Sequence, residues 1–328
     1  MKKLSFISAI LPLFFLLPNA GATLTINTTW TNDPGTEVKS VWSAVVSYYQ
    51  GVFSDSYSGE TWTITCDWKP LSGPIAQGGP TGGAMGSVVA SQPGAITGRI
   101  QNNVYYASAL ANHLAKTTLL TGENLGVTFN SGTNWDFSIS SKASDKESFY
   151  ATAIHEVAHG LGFISADVAT GGWSSSTGPK VFDYYLGLGS SSPTPLIGMS
   201  DAALAAAFVS NNVYWTGANG IAGHGGTPVQ IYAPSPTYQD GSSMSHLDFT
   251  VNPSTSLLMY PSDAASLPLA FSYSATELGI WKDMGYDIVP EPCTIWLLLL
   301  GAGIFWKAKR SPLLAGMAQR PACWFGRG

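Results

Sequence analysis

Charge is what this sequence has least of. Lys, Arg, Asp and Glu together make up 11% of its 328 residues, against about 25% in an average soluble protein. With so little charge and 12% aromatic residues, the chain does not have the composition of a disordered polyelectrolyte. Lys and Arg number 15 and are scattered, so no basic stripe is available to neutralise phosphates and nucleic acid is excluded as a partner. Cysteine is scarcer still. There are three, of which Cys293 and Cys323 lie near the C-terminus and Cys66 stands alone in the body, so no disulfide framework holds the fold. Neither a tandem repeat nor an EF-hand loop is present. What is plentiful is Gly (36), Pro (20), Tyr (14) and Trp (11), a profile that fits an exported protein.

The two ends read as addresses. Lys2 and Lys3 precede an apolar run from Leu4 to Leu17, and Ala20-Gly21-Ala22 follows Pro18. A charged start, a short apolar stretch and an A-x-A site make a signal peptide over residues 1–22, with Thr23 as the mature N-terminus. A second apolar run, Cys293 to Trp306, is followed by Lys307, Lys309 and Arg310. It is shorter than the roughly 20 residues that cross a bilayer as a helix. Val289-Pro290-Glu291-Pro292 stands just before it, and the whole stretch resembles the PEP-CTERM sorting signal of Gram-negative bacteria. That resemblance implies an exosortase-type export machinery as partner, a membrane contact through residues 289–310 alone, and a destination at the cell surface, in the extracellular matrix or in the medium. Residues 311–328 extend beyond the family's usual end.

Between the addresses, residues 23–288 carry 8 basic and 19 acidic residues. The negative balance favours solubility, disfavours anionic membranes and nucleic acid, and suits bound calcium. Val41, Trp42, Val45, Tyr48, Tyr49 and Val52 have helical spacing over Ser40–Phe53. Thr61 to Trp68 alternates as a strand, with Cys66 a buried small hydrophobe. Leu71 to Thr97 reads mainly as loop. Tyr106 to Leu119 is helical, with His113 an ordinary polar residue on one face. A short strand is expected at Leu125–Phe129 and a helix at Ser148–Leu161. The stretch from Gly162 to about Tyr273 reads mostly as loop, interrupted by a helix at Asp201–Val209 with Ser200 as its N-cap. Thr276 to Met284 forms a last helix, stopped at Gly285. Mixed strands and helices followed by a loop-rich half make the fold class α+β.

The chemistry concentrates in Ile154-His155-Glu156-Val157-Ala158-His159-Gly160. At about 100° per residue, His155 and His159 stand about 40° apart around a helix and one turn apart along it. Both imidazoles can therefore reach one zinc ion, with Glu156 placed to act as general base on a water. A catalytic zinc takes three protein ligands as a rule. Six residues after His159, where a compact motif would place another His, stands Ser165. Of the five histidines, His224 and His246 remain as candidates for the third ligand.

Ser243-Met244-Ser245-His246 and the later Leu257-Leu258-Met259-Tyr260-Pro261 complete an ordered set of motifs that resembles the leishmanolysin-like metzincins. The resemblance covers roughly residues 148–288. It implies an upper subdomain of twisted mixed sheet and helices ending at Gly162. It also implies a loop-rich lower subdomain with His246 as third zinc ligand, Met259 as the Met-turn, and a C-terminal helix. The activity it implies is zinc-dependent hydrolysis of protein or peptide substrates. Tyr260 receives no role, because the tyrosine of some metzincins falls where Pro261 stands. The other class of function compatible with the sequence is a non-proteolytic zinc-binding matrix or adhesion protein. An intact Glu156 favours the enzyme, since a structural zinc site needs no general base.

Overall fold

A computed structural model describes residues 24–249, 257–261 and 269–290. The chain divides into two compact units, Met1–Ile288 and Val289–Gly328. The expected signal peptide lies outside the described residues. So do the sorting segment, apart from Val289 and Pro290, and the extension after it. Among the described residues no helix is long and apolar enough to cross a membrane. At the coarse level the fold is α+β, with open sheets and helices.

The first half is built on one sheet. Strands β1 (Thr25–Trp30), β2 (Thr61–Lys69), β3 (Ala76–Pro80) and β4 (Leu125–Asn130) lie in the order β1-β2-β4-β3. The pairs β1/β2 and β2/β4 are parallel, and β3 runs antiparallel to β4 along the edge. The alternation of β2 is realised: Trp62, Ile64 and Cys66 are buried while Thr61, Thr63 and Thr65 are half-buried on the other face. A parallel pair needs a crossover. Helix α1 (Thr36–Val52) supplies it between β1 and β2, burying Val38, Val41, Trp42, Val45 and Tyr49 along one stripe. Helix α2 (Ser108–Ala115) leads towards β4 and is buried along its whole length.

Helix α3 (Phe149–Leu161) carries the metal-binding pattern. It starts where Ser148 Oγ accepts the Ala151 N–H and stops at Gly162, whose φ of 114° is left-handed. A helix apolar on nearly every face belongs in a core, and α3 is sunk between α1 and the sheet. Two glycines allow the approach. A Cβ on Gly78 of β3 would lie 2.0 Å from the Glu156 carbonyl oxygen, and one on Gly160 would lie 2.6 Å from Leu125 Cβ.

The second half has shorter elements. Strands β5 (Leu186–Leu188), β6 (Thr194–Pro195), β7 (Val213–Trp215) and β8 (Val229–Gln230) form a small antiparallel sheet in the order β6-β5-β7-β8. Helix α4 (Asp201–Ala207) has the expected cap, Ser200 Oγ accepting from Ala203 N–H. Helix α5 (Ala218–Gly223) packs on the last helix, α6 (Ala275–Met284), which ends at left-handed Gly285.

Two expectations need correction. The stretch Leu71–Thr97 is not mainly loop: it holds β3, a strand at Gly83–Met85 and a short helix at Gly86–Ala90. Its glycines and Pro80 imitate a turn, yet Gly78 is there because α3 leaves no room for a side chain. The described part of the stretch after Gly162 is mostly loop, as expected; the small sheet within it has strands of two or three residues, too short to show alternation. His113 is not an ordinary helix-face residue. It is fully buried, with Nδ1 3.0 Å from both carboxylate oxygens of Glu60. The first strand, β1, had no counterpart in the sequence reading.

Candidate metal centre

His155, Glu156 and His159 are set by α3; His246 arrives from a loop of the second half. The three Nε2 atoms form a near-equilateral triangle: 3.0 Å between His155 and His159, 3.1 Å between His155 and His246, and 3.2 Å between His159 and His246. Each ring is held from behind by a backbone carbonyl at 2.7 Å: Leu258 for His155 Nδ1, Phe163 for His159 Nδ1 and Ser242 for His246 Nδ1. A carbonyl oxygen only accepts, so each Nδ1 carries the proton and donates it. Each neutral ring is then left with a bare lone pair on Nε2. Three acceptors facing one another without a donor repel, and a cation between them removes the conflict. This cluster can hold a metal ion.

The surroundings keep the donors in the form a metal needs. Burial depresses the basicity of all three rings, taking His159 down to about 3 with further help from neighbouring His155. Neutral imidazole is the ligand form. Burial acts in the opposite sense on Glu156, pushing its carboxyl up to about 8, and a cation within a few ångströms would pull it back towards the ionised form.

His246 is positioned by backbone hydrogen bonds rather than by a helix. Tyr232 N–H donates to the His246 carbonyl, Met244 N–H donates to the Tyr232 carbonyl, and Leu247 N–H donates to the Met259 carbonyl, each at 2.8 Å. Met244 adopts a φ of 65°, which reverses the chain just before His246. Ser245 Oγ accepts the Ser165 N–H at 3.1 Å, joining the loop to the segment that leaves α3. Met259 is fully buried. Its N–H, 2.8 Å from Glu277 Oε1, ties the turn to α6.

The triad opens on a cleft of about 980 Å³. It is lined by Ala76, Gln77 and Gly78 of β3, by residues of α3, and by Ser242, Ser245, Leu258 and Tyr260. Glu156 lines the same cleft beside the histidines. Asp167 also lines it, its carboxylate accepting from Tyr238 OH at 2.6 Å, and stands outside the metal cluster. His224 is elsewhere, at the end of α5, where its ring contacts Thr227. The described residues therefore bring together His155, His159 and His246, with Glu156 alongside. What the sequence reading lacked were the carbonyls of Leu258, Phe163 and Ser242, which no side chain announces, and Glu277. For Glu277 a signal existed in the Ser274-x-x-Glu277 capping pattern, but nothing in that pattern points to Met259. Compared with protein families, with curated proteins and with solved structures, the chain matches none of them.

Proposed function

We propose that this chain is an exported zinc-dependent endopeptidase of the metzincin type. The observation that carries the reading is the triangle of three bare Nε2 atoms with a buried glutamate beside it. Zinc–nitrogen bonds of about 2.0–2.1 Å in tetrahedral geometry set ligand nitrogens about 3.3–3.4 Å apart, close to the spacing found. Three neutral imidazoles with an open side are the donor set of a catalytic zinc rather than of a hard, oxygen-seeking cation. His155, His159 and His246 would hold the ion, which when bound supplies Lewis-acid polarisation of a carbonyl and acidification of water. Glu156 would accept the proton of the attacking water and hand it to the leaving nitrogen.

The cleft suits an extended peptide. Among the described residues β3 is an edge strand, paired only with β4, and it borders the cleft. Its free edge offers backbone groups to which an extended chain can add. The lining changes character from the apolar Leu257, Leu258 and Leu269 to the polar Ser242, Ser245 and Tyr238, so different side chains of a substrate would meet different surfaces. Within the same reading, residues 1–22 direct export, Met259 supplies the Met-turn, and residues 289–310 act as the sorting segment.

Metal analysis of the purified domain together with casein digestion tests the proposal. The expected result is one zinc per chain, hydrolysis abolished by a chelator, and a Glu156→Ala variant that keeps its zinc while losing about 100-fold or more in rate. Zinc without hydrolysis in the native chain would instead support the non-proteolytic binding protein. Undiminished turnover in Glu156→Ala would remove the general-base role.

A further inference from the structure

Glu277 lies at the start of α6, outside the cleft lining, and is completely buried. As the third residue of a capping box it accepts the Ser274 N–H on Oε2 at 2.7 Å, while Ser274 Oγ accepts the Glu277 N–H at 3.2 Å. A helix cap alone works at the surface and does not require an entombed carboxylate, which is costly to bury. The second oxygen shows where the carboxylate is used. Oε1 accepts the Met259 N–H at 2.8 Å; burial pushes the carboxyl up to about 7, and the Ser274, Met259 and Leu258 amides pull it back towards the ionised form. Leu258 then presents its carbonyl to His155 Nδ1 at 2.7 Å. Met259 presents its own carbonyl to the Leu247 N–H at 2.8 Å, one residue from His246. The turn is thus a crosspiece: its N–H groups face one carboxylate, and its carbonyls face the elements that carry two of the three ligands.

We propose that Glu277 is a positioning residue for the metal centre, fixing the aim of His155 and the seat of His246 through the backbone of Leu258 and Met259. The role uses both carboxylate oxygens as acceptors, Oε1 for the Met259 N–H and Oε2 for the Ser274 N–H, as the ionised form provides. A charged acceptor also strengthens these hydrogen bonds relative to a neutral amide and polarises the amide groups behind them. Groups that orient a metal ligand from behind typically control metal affinity by about 10–100-fold. The proposal rests on the three-histidine cluster being a metal site.

The test compares Glu277→Gln and Glu277→Asp with Ser274→Ala, using Zn2+ competition against a chromophoric chelator and the visible spectrum of the Co2+-loaded protein. Gln keeps the volume but turns an amide donor towards an N–H. Asp keeps a carboxylate at the helix start, where it suits the helix dipole, but is too short to reach Met259. Ser274→Ala weakens the cap and leaves the turn alone. Both Glu277 variants should lose about 10–100-fold in Zn2+ affinity and shift the Co2+ bands. Ser274→Ala should lose thermal stability with wild-type affinity and spectrum. Wild-type affinity and spectrum in folded Glu277→Asp would overturn the proposal, as would an equal loss in Ser274→Ala, which would reduce Glu277 to a helix cap. Should neither Glu277 variant fold, amide exchange in the wild-type chain decides: Leu258 and Met259 should be as protected as the interior of α6, and free exchange there would refute the crosspiece. If the wild-type chain takes up neither Zn2+ nor Co2+, the metal site itself fails, a result distinct from all of these.

Discussion

His155 and His159 ride on a 13-residue helix capped at both ends and buried against a four-stranded sheet. His246 comes from a loop in the half whose strands are two or three residues long. In the first half the geometry of the ligands follows from helix pitch and needs nothing beyond a sound core. In the second half it follows from individual hydrogen bonds: Tyr232 N–H to the His246 carbonyl, Leu247 N–H to the Met259 carbonyl, the His246 ring to the Ser242 carbonyl. A site assembled this way has a rigid pair of ligands and a third whose position depends on several small interactions at once. Substitutions should therefore act differently in the two halves, by displacing a packed helix in one and by loosening a loop in the other.

The sharpest test of this contrast removes the loop ligand. His246→Ala should lower metal affinity by more than the roughly 10–100-fold typical of groups behind the ligands, while the domain stays folded because α3 and the sheet do not depend on it. His224→Ala should leave affinity unchanged, since its ring contacts Thr227 away from the cluster. Zinc titration of both variants measures the difference. A larger loss in His224→Ala would break the assignment of the third ligand.

A substitution in the first half should act through packing. Gly78→Ala puts a methyl group 2.0 Å from the Glu156 carbonyl oxygen, with no flexible side chain there to yield. The strand or the helix must shift, at a cost of about 1–3 kcal/mol typical of overpacking. The expectation is a lower Tm, together with loss of hydrolysis disproportionate to the loss of zinc, because β3 is both the helix's neighbour and a wall of the cleft. Unaltered stability would mean that the sheet is not pressed against the helix as described.

The smaller change of Ser245→Ala probes the loop. It removes the hydroxyl that accepts the buried Ser165 N–H. A lost hydrogen bond of this kind costs about 1 kcal/mol, rising towards 3 if the donor stays dry and unpaired. Metal affinity should fall modestly, with the His155–His159 pair intact, and amide exchange at Ser165 should quicken. A variant with wild-type exchange at that amide would show that the link does not bear on the loop.

How much of this was legible in the sequence tracks the same contrast. The helix from Ser148 to Leu161 could be read locally, because its apolar faces and the His155–His159 spacing lie within consecutive positions. Ser200 and Gly285 were legible for the same reason. The edge strand was not, because Ala76-Gln77-Gly78-Gly79-Pro80 has the composition of a turn and its meaning lies in the helix it touches. His246 could be picked out among the histidines only by resemblance to a family. The carbonyls that orient the rings cannot be read from side chains at all. His113 was misread since its partner Glu60 lies 53 positions away, and no local pattern links the two.

The smallest expected effect concerns that misread residue and the last turn of the domain. His113 Nε2 lies 3.3 Å from the Asp287 backbone nitrogen and 3.6 Å from Asp287 Oδ2, while Arg99 bonds the other carboxylate oxygen at 2.6 Å. Burial opposes the imidazolium, but the carboxylates of Asp287 and Glu60 outweigh it and hold the His113 pKa above its usual value. Asp287 is lowered to about 2, chiefly by its hydrogen bond to His113, against some desolvation and with help from Arg99. The signs follow from linkage. The raised histidine contributes stability that is fully present below its unfolded value of about 6.5 and lost as pH rises through its folded value. The lowered aspartate contributes stability present above about 3.9 and lost as pH falls through its folded value. The His113–Asp287 attraction is therefore at full strength between about pH 4 and 6.5, while the Arg99 contact persists at alkaline pH. Asp287→Asn should accordingly lower Tm more at pH 5.5 than at pH 9, read as the difference between wild type and variant at each pH. Equal losses at the two values would mean that Arg99 alone holds Asp287, and that the buried histidine belongs to the packing of the first half rather than to a charged link with the end of the second.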